Sequence, residues 1–127
     1  MTKMNSNENN FNLLRTSYYE SKKSKFYGFM YELKSESNFE QIFNYLRKDH
    51  KKARHICYAY IFNQQLKASD DHEPKGTASL SLINALKNHN QDNIAIFVVR
   101  YFGNIKLGLG GLFRAYSKTA SMLFSNE

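Results

Sequence analysis

Cysteine, proline and glycine are scarce in this sequence, and tryptophan is absent. The 127 residues include one cysteine, one proline and six glycines. A single cysteine, Cys57, excludes both an internal disulfide and a zinc cage of several cysteines. The longest aliphatic run, Ile94 to Val99, is far shorter than the roughly 20 residues of a membrane-spanning helix, and the first ten residues lack an apolar signal core. These absences predict a cytoplasmic protein with no membrane segment.

Positive charge and aromatic rings are what the sequence has in excess. Eighteen Lys and Arg against eleven Asp and Glu give a formal net charge of +7 and a pI near 9.5, and there are ten Phe and nine Tyr. This balance is compatible with a polyanionic partner such as RNA, although net charge carries no information about the fold. The length is that of one domain with a core of its own.

Hydrophobic periodicity predicts one α+β domain with the element order β-β-α-β-α-β-α. The domain is expected to cover residues 13–127, after a disordered, Asn-rich tail over residues 1–12. A β-sheet covered by helices would bury the inner helix faces and the central strand. The residues expected in the core are Phe39, Ile42, Phe43, Leu46, Leu82, Ile83, Leu86, Ile96, Val98 and Leu112.

The connections between these elements have distinct compositions. The basic stretch Glu20–Lys25 is predicted to join the first two strands, and the polar stretch Asn63–Gly76 is predicted to be one long loop. Ser37 and Glu40 have the spacing of a capping box at the start of the first helix. The last helix is expected to cover about Leu109 to Phe124.

Four of the six glycines lie in the stretch RYFGNIKLGLGGLFRAYS, from Arg100 to Ser117. Glycine loses more conformational freedom on folding than any other residue, so this cluster indicates a special backbone shape or a close approach to a ligand. Its spacing matches neither a Walker A motif nor G-x-G-x-x-G. Three interpretations remain: a phosphate cradle at a helix start, an RNA contact, or a strand-to-helix turn with positive φ.

The loop SDDHEP, from Ser69 to Pro74, brings three carboxylates and a histidine together. With His55 it could form a metal or acid–base site, but its spacing matches neither an EF-hand nor H-E-x-x-H. The alternative is a solvated acidic loop, and no metal is predicted. The remaining histidines, His50, His72 and His89, are expected to be exposed.

Catalytic chemistry has little support in the sequence. Cys57 lies in the middle of a predicted strand and is expected to be a small core residue rather than a nucleophile. No Ser/His/Asp arrangement can be argued from spacing, so there is no recognisable catalytic set.

Taken together, three segments resemble the signature of the IMPACT family, whose bacterial members are called YigZ-like. They are RHICYAY, SDDHEPKGTA and VVRYFGNIKLGLGGLFRAYS, and KKSKF, from Lys22 to Phe26, resembles the N-terminal signature of that family. The resemblance covers roughly Ser17 to Ser121.

The sequence departs from the family pattern at four positions. His72, Ser79 and Asn104 stand where the family has Gly, and Lys75 stands where it has Ser. Asn tolerates a left-handed backbone, so that exchange is mild. His72 would be harder to accommodate if its φ is positive.

The resemblance implies the fold of the second domain of a small-subunit ribosomal protein. That fold is a β-sheet with helices packed on one face and an unusual left-handed βαβ crossover. The resemblance also implies a single IMPACT-type N-terminal domain, without the C-terminal ferredoxin-like domain usual in bacterial members. The additional N-terminal domain tied to translation control in eukaryotic members is expected to be absent as well. No well-established catalytic activity comes with the family.

Two functions from different classes fit these observations. The first is a non-catalytic RNA- or ribosome-binding module linked to regulation of translation. The alternative is a small-molecule or nucleotide phosphate-binding protein, or enzyme, that uses the Gly-rich loop. No cofactor is predicted, and the oligomeric state is left open. The predicted phosphate- or nucleic-acid-binding residues are Arg100, Gly103, Lys106, Gly108, Gly110, Gly111 and Arg114, beside a family-type surface loop of His55, Asp70, Asp71, Glu73 and Thr77.

Overall fold

The structure is a computed structural model that describes residues 11–125. Within these residues, the chain forms five strands and three helices. In chain order they are β1 (Asn12–Ser21), β2 (Ser24–Glu32), α1 (Glu36–Asp49), β3 (His55–Phe62), β4 (Gln65–Ser69), α2 (Ser79–Asn88), β5 (Ile94–Tyr101) and α3 (Gly108–Met122). The predicted α+β class is confirmed.

Strand β4 is an addition to the predicted order, since its residues lie in the stretch predicted to be one long loop. Asn63 and Gln64 both have positive φ, 51° and 66°, and form the tight turn that returns the chain from β3 into β4. The residues of β4 are mostly exposed. A short strand without a buried face has no apolar alternation, and that alternation is the signal from which strands are predicted.

The sheet has the strand order β1-β2-β5-β3-β4, and all neighbouring strands are antiparallel. β5 lies at the centre, and its residues from Ile94 to Arg100 are all buried. Its alternate residues enter two different cores. Ile94, Ile96 and Val98 pack with α2 and α3, whereas Ala95, Phe97 and Val99 pack with α1. The expected single helix layer is therefore corrected: α1 covers one face of the sheet, and α2 and α3 cover the other.

Two βαβ crossovers follow from this arrangement, and they have opposite hands. α1 joins the parallel strands β2 and β3 across β5, and α2 joins the parallel strands β4 and β5 across β3. The α2 connection differs from the α1 connection in three ways: it moves across the sheet in the opposite direction, its strands point the opposite way, and its helix lies on the opposite face. Each single reversal inverts the hand of a crossover, so three reversals together invert it. One crossover must therefore be left-handed, against the usual right-handed rule.

Most of the expected core is buried. Phe43 and Ile83 are only partly buried, because each lies at the edge of its helix face. The cap of α1 is also displaced from the prediction: Ser35, rather than Ser37, accepts the backbone N–H of Asn38 at 3.1 Å. None of the helices between residues 11 and 125 is long and apolar enough to cross a membrane.

The predicted disordered tail is too long by two residues. Phe11 is buried against Tyr31 and Tyr45, and Asn12 already pairs with Glu32 in the sheet. Residues 1–10 of that tail lie outside the described residues.

Candidate functional site

The strand register gathers the basic side chains at one end of the sheet. Phe26, Arg100 and His55 are cross-strand partners in one row, where β2 and β3 begin and β5 ends. The β1–β2 turn, the C-terminus of α1 and the loop after β5 all meet there. We call this the basic end, and its exposed cations are Lys22, Lys23, Lys25, Lys48, Lys51, Lys52, Arg54 and Lys106. The opposite end, where β5 begins, is the distal end.

Asp70 in the acidic loop is a helix cap. Its carboxylate accepts the backbone N–H groups of Gly76, Ala78 and Ser79 and the Ser79 hydroxyl, at 2.7–3.1 Å. Burial alone would raise the pKa of Asp70, but these hydrogen bonds together outweigh it and lower the pKa below its usual value. Thr77 is buried and donates its hydroxyl to the Pro74 carbonyl. Both residues therefore order the loop from within.

Asp71 ties the loop to the start of β3. Its carboxylate accepts the Ile56 N–H at 2.6 Å, and its carbonyl lies 2.7 Å from Nδ1 of His55. Asp71 and His72 both have positive φ, 44° and 71°. His72 thus adopts the conformation for which glycine is suited, at a position where the family pattern has glycine. Its side chain is 93% exposed, so the ring itself meets no obstruction.

Glu73 and Arg100 form a buried ion pair. Glu73 is 6% exposed and Arg100 is 5% exposed, and Nη1 of Arg100 lies 2.7 Å from Oε2 of Glu73. The Tyr116 hydroxyl donates to the same oxygen, and Nε2 of His55 lies 3.6 Å from Oε1. Burial, followed by the nearby Cys57 and Glu73, raises the pKa of Tyr116 well above its usual value, so the phenol stays protonated and donates.

Arg100, predicted to bind phosphate or nucleic acid, is therefore almost fully buried. Its Nη2 donates to Ser24 at 3.3 Å, and its guanidinium lies over the rings of Phe26 and Phe102. Among the buried side-chain nitrogen and oxygen atoms of residues 11–125, Nε of Arg100 alone has no hydrogen-bond partner. Burying the charges of Arg100 and Glu73 costs desolvation energy, which their mutual attraction offsets only while both partners are present.

Two of the clustered glycines meet backbone requirements at the start of α3. A Cβ on Gly103 would lie 2.1 Å from the Lys23 carbonyl carbon, so no other residue fits against the β1–β2 turn. Gly108 has φ 77° and Asn104 has φ 70°, which gives the expected turn with positive φ. α3 begins at Gly108 without a side-chain cap. Gly110 and Gly111 lie within the helix.

One cavity of about 350 Å³ lies between the acidic loop and the glycine loop, and we call it the loop pocket. It is lined by Arg54, His55, Glu73, Pro74, Arg100, Phe102, Lys106, Leu107, Gly108, Leu109 and Leu112. Segments far apart in sequence thus meet in one place. Arg114 is not among them: it lines a different hollow with Tyr19 and Phe113. Lys106 and Arg114 thus line different concavities, and a shared binding site for the two remains a prediction.

A second concavity, of about 690 Å³, lies at the same end on the α1 side, and we call it the aromatic hollow. It is lined by Lys23, Lys25, Tyr27, His50, Tyr101, Phe102 and Gly103. Phe102 borders both concavities and carries the Arg54 guanidinium over its ring, 4.7 Å from the centroid. Sequence reasoning missed this hollow. Alternation along β2 places Lys25 and Tyr27 on one face, but only the strand register brings Tyr101 beside them.

His50 is partly buried in this hollow rather than exposed as expected. Its Nδ1 lies 2.6 Å from the Tyr101 hydroxyl. Burial lowers the pKa of His50, an effect that the neighbouring Asp49 partly opposes. His72 and His89 are exposed as predicted.

The described residues contain no group of three or more His, Cys, Asp or Glu side chains arranged to hold a metal ion. Cys57 is fully buried, and burial raises the pKa of its thiol. A thiol that is buried and protonated is a poor nucleophile, which agrees with its predicted place in the core.

Comparison with known proteins identifies the family. The model of the Impact N-terminal domain matches residues 22–124. The chain belongs to the IMPACT family. It is 38% identical over 102 residues to the IMPACT family member YvyE of Bacillus subtilis, covering 78% of this chain and 47% of the relative. It is 37% identical over 102 residues to YigZ of Escherichia coli, covering 76% of this chain and 50% of YigZ.

Solved structures share the fold of this IMPACT domain. One, described as a hypothetical protein, superposes with a TM-score of 0.81 at 32% identity and covers 90% of this chain and 60% of its own. The two-domain translational regulator Yih1 superposes with a TM-score of 0.52 at 19% identity, covering 89% of this chain and 45% of its own. The chain spans about half the length of the curated relatives named above.

Proposed function

We propose that this IMPACT domain is a non-catalytic module that binds RNA through its basic end. The observation that carries the proposal is the aromatic hollow, where Lys23 and Lys25 flank the partly exposed rings of Tyr27, Tyr101 and Phe102. Aromatic faces surrounded by cations are the combination that binds single-stranded nucleic acid, since bases stack on the rings while phosphates meet the charges.

The charge distribution supports the same surface. Lys48, Lys51 and Lys52 extend the positive charge along the C-terminus of α1, and Arg54 continues it towards the loop pocket. A strand of RNA that follows this path passes over the end of the sheet, with Phe102 in the middle. Neutralising phosphates releases counterions, so affinity should fall steeply as salt rises.

A role in regulating translation fits this proposal. The structurally similar Yih1 is described as a translational regulator. The RNA would then be ribosomal or ribosome-bound, and the protein would act in the cytoplasm. Sedimentation of the protein with purified ribosomal subunits, in the presence and absence of a competing oligonucleotide, tests this part of the proposal.

RNA binding is tested by a salt titration with a fluorescent single-stranded RNA oligonucleotide. Lys25→Gln combined with Lys52→Gln removes two charges from the basic end while keeping side-chain length. We expect weaker binding, and a salt slope that is smaller by about one for each phosphate that these lysines no longer neutralise.

The matched control is Lys34→Gln combined with Lys87→Gln, which removes two exposed charges from the distal end. We expect the control to bind as the parent does. Equal affinities and slopes for the two double variants would contradict a basic-end RNA site.

A further inference from the structure

The loop pocket shares Arg54 with the proposed RNA path, but its Lys106 and the start of α3 lie outside the aromatic hollow. We infer that the loop pocket binds a phosphomonoester, namely the terminal phosphate of the bound RNA strand or that of a free nucleotide. In its RNA form this inference rests on the proposed function. The phosphate-binding chemistry itself is a property of the pocket.

The charge balance at the pocket favours a dianion. Glu73 and Arg100 neutralise each other at 2.7 Å, and both are buried. The exposed cations Arg54 and Lys106 then remain at the wall, with no exposed carboxylate among the residues that line this pocket. A phosphomonoester carries close to two negative charges near neutral pH, so it matches this excess better than a phosphodiester does.

The start of α3 adds backbone donors to the same wall. Gly108 and Leu109, the first two residues of this fifteen-residue helix, line the pocket, and the N-cap residue Leu107 offers no side-chain acceptor. The N–H groups of a first helical turn lack intrahelical partners, and the helix dipole favours an anion beside them. Gly108 has no Cβ to obstruct an approaching oxygen.

A second, independent observation points to a ligand in this pocket. Arg100 lines it, is only 5% exposed, and has an Nε without a partner. Buried polar atoms are nearly always hydrogen-bonded in folded proteins, so a guanidinium nitrogen without a partner indicates that a further group can bind nearby. Because Nε is itself shielded from solvent, a phosphate bonds to it only if the Arg100 side chain shifts towards the pocket.

The shape of the pocket favours a chain end over an internal phosphate. His55, Glu73, Arg100 and Leu112 are buried or mostly buried residues that close its inner side. An internal phosphodiester needs room for the chain on both sides, whereas a terminal phosphate needs one entrance. Phe102 borders both concavities, so a base stacked near the aromatic hollow can lead its terminal phosphate into the loop pocket.

The test compares RNA oligonucleotides of one sequence that end in a 5′-phosphate, a 3′-phosphate or only hydroxyl groups, with adenosine monophosphate as the free nucleotide. Binding is measured for the parent, for Lys106→Gln and for Arg114→Gln. Arg114 is the matched control because it is an exposed cation on α3 outside the loop pocket. We expect one phosphorylated end to bind about tenfold tighter than the hydroxyl end, because its contacts are charge-assisted. Lys106→Gln should remove most of this preference, and Arg114→Gln should keep it.

The outcomes separate this inference from the proposed function. Equal binding of all three RNAs, together with no binding of the monophosphate, would overturn the phosphate pocket and leave RNA binding intact. Binding of the monophosphate that Lys106→Gln weakens, with no RNA binding, would support the pocket and overturn the RNA module. A preference that Arg114→Gln removes as strongly as Lys106→Gln would place the phosphate elsewhere and overturn the inference.

Discussion

The two ends of the sheet are built from the same strands but differ in their exposed charges and in the contacts of their polar side chains. At the distal end, exposed charges of both signs alternate, among them Glu32, Lys34, Lys87 and Asp92. Polar side chains there bond to local turns: Asp92 accepts the Gln64 N–H at 3.2 Å. At the basic end, exposed cations dominate the surface, and the buried Arg100 bonds to Glu73 and Ser24 beneath it. At the distal end these side chains stabilise turns, whereas the basic end contains the loop pocket and the aromatic hollow.

The difference extends to what is buried. Among the described residues, Glu73 and Arg100 are the buried charged residues, and both lie at the basic end. Natural sequences depart from an apolar interior mainly where function or specificity requires it. The buried charges of Glu73 and Arg100 therefore distinguish the basic end from the distal end, where the described residues bury no charged side chain.

The largest effect on stability should come from breaking the buried ion pair. Arg100→Met leaves Glu73 buried without its partner, and we expect a loss of about 3–5 kcal/mol in the free energy of unfolding. Lys34→Met, the same kind of exchange at an exposed distal position, should change it by less than about 0.5 kcal/mol. Chemical denaturation measures both.

A double variant tests the cause of that loss. Arg100→Met combined with Glu73→Gln removes both charges, so it should be more stable than Arg100→Met alone. If the double variant is no more stable, the loss comes from packing rather than from an unpaired charge.

A smaller effect should distinguish the glycines of the basic end. Gly103→Ala places a Cβ 2.1 Å from backbone of the β1–β2 turn, and overpacking of this kind costs about 1–3 kcal/mol. Gly110→Ala meets only the flexible Arg114 side chain at 3.3 Å, inside a helix. There alanine should stabilise by about 0.5–1 kcal/mol. Thermal unfolding of the two variants should therefore shift in opposite directions, and a stabilising Gly103→Ala would show that the turn can move away.

The smallest effect should be a pH dependence specific to the basic end. Burial lowers the pKa of His50 in the folded state, so below about pH 6.5 the unfolded chain binds the proton more readily. The free energy of unfolding should fall as pH drops below that value, until His50 also titrates in the folded protein. His50→Gln should reduce this dependence in denaturation measured across the pH range. His89→Gln, an exposed distal histidine stacked on Phe124, is the control and should behave as the parent does.

Much of the architecture could be predicted from local patterns. The helix faces containing Phe39 and Leu82 and the buried strand around Ile96 follow from periodicity, because burial repeats with the geometry of each element. The turn after Tyr101 was predictable from its glycines. Strand β4 was not, since its exposed residues have no apolar alternation, and the α1 cap was missed by two residues because several Ser side chains compete for it.

The sequence by itself determined most of the elements, the basic excess and the family, because local patterns and composition carry these properties. Only the tertiary structure decided what those residues do. Strand register sets Arg100 beside His55 and Phe26, and the fold then buries it against Glu73, although its charge alone suggests exposure. The fold likewise presses Gly103 against the Lys23 backbone. These contacts join distant segments, and pairing between distant segments depends on the whole fold rather than on any local pattern.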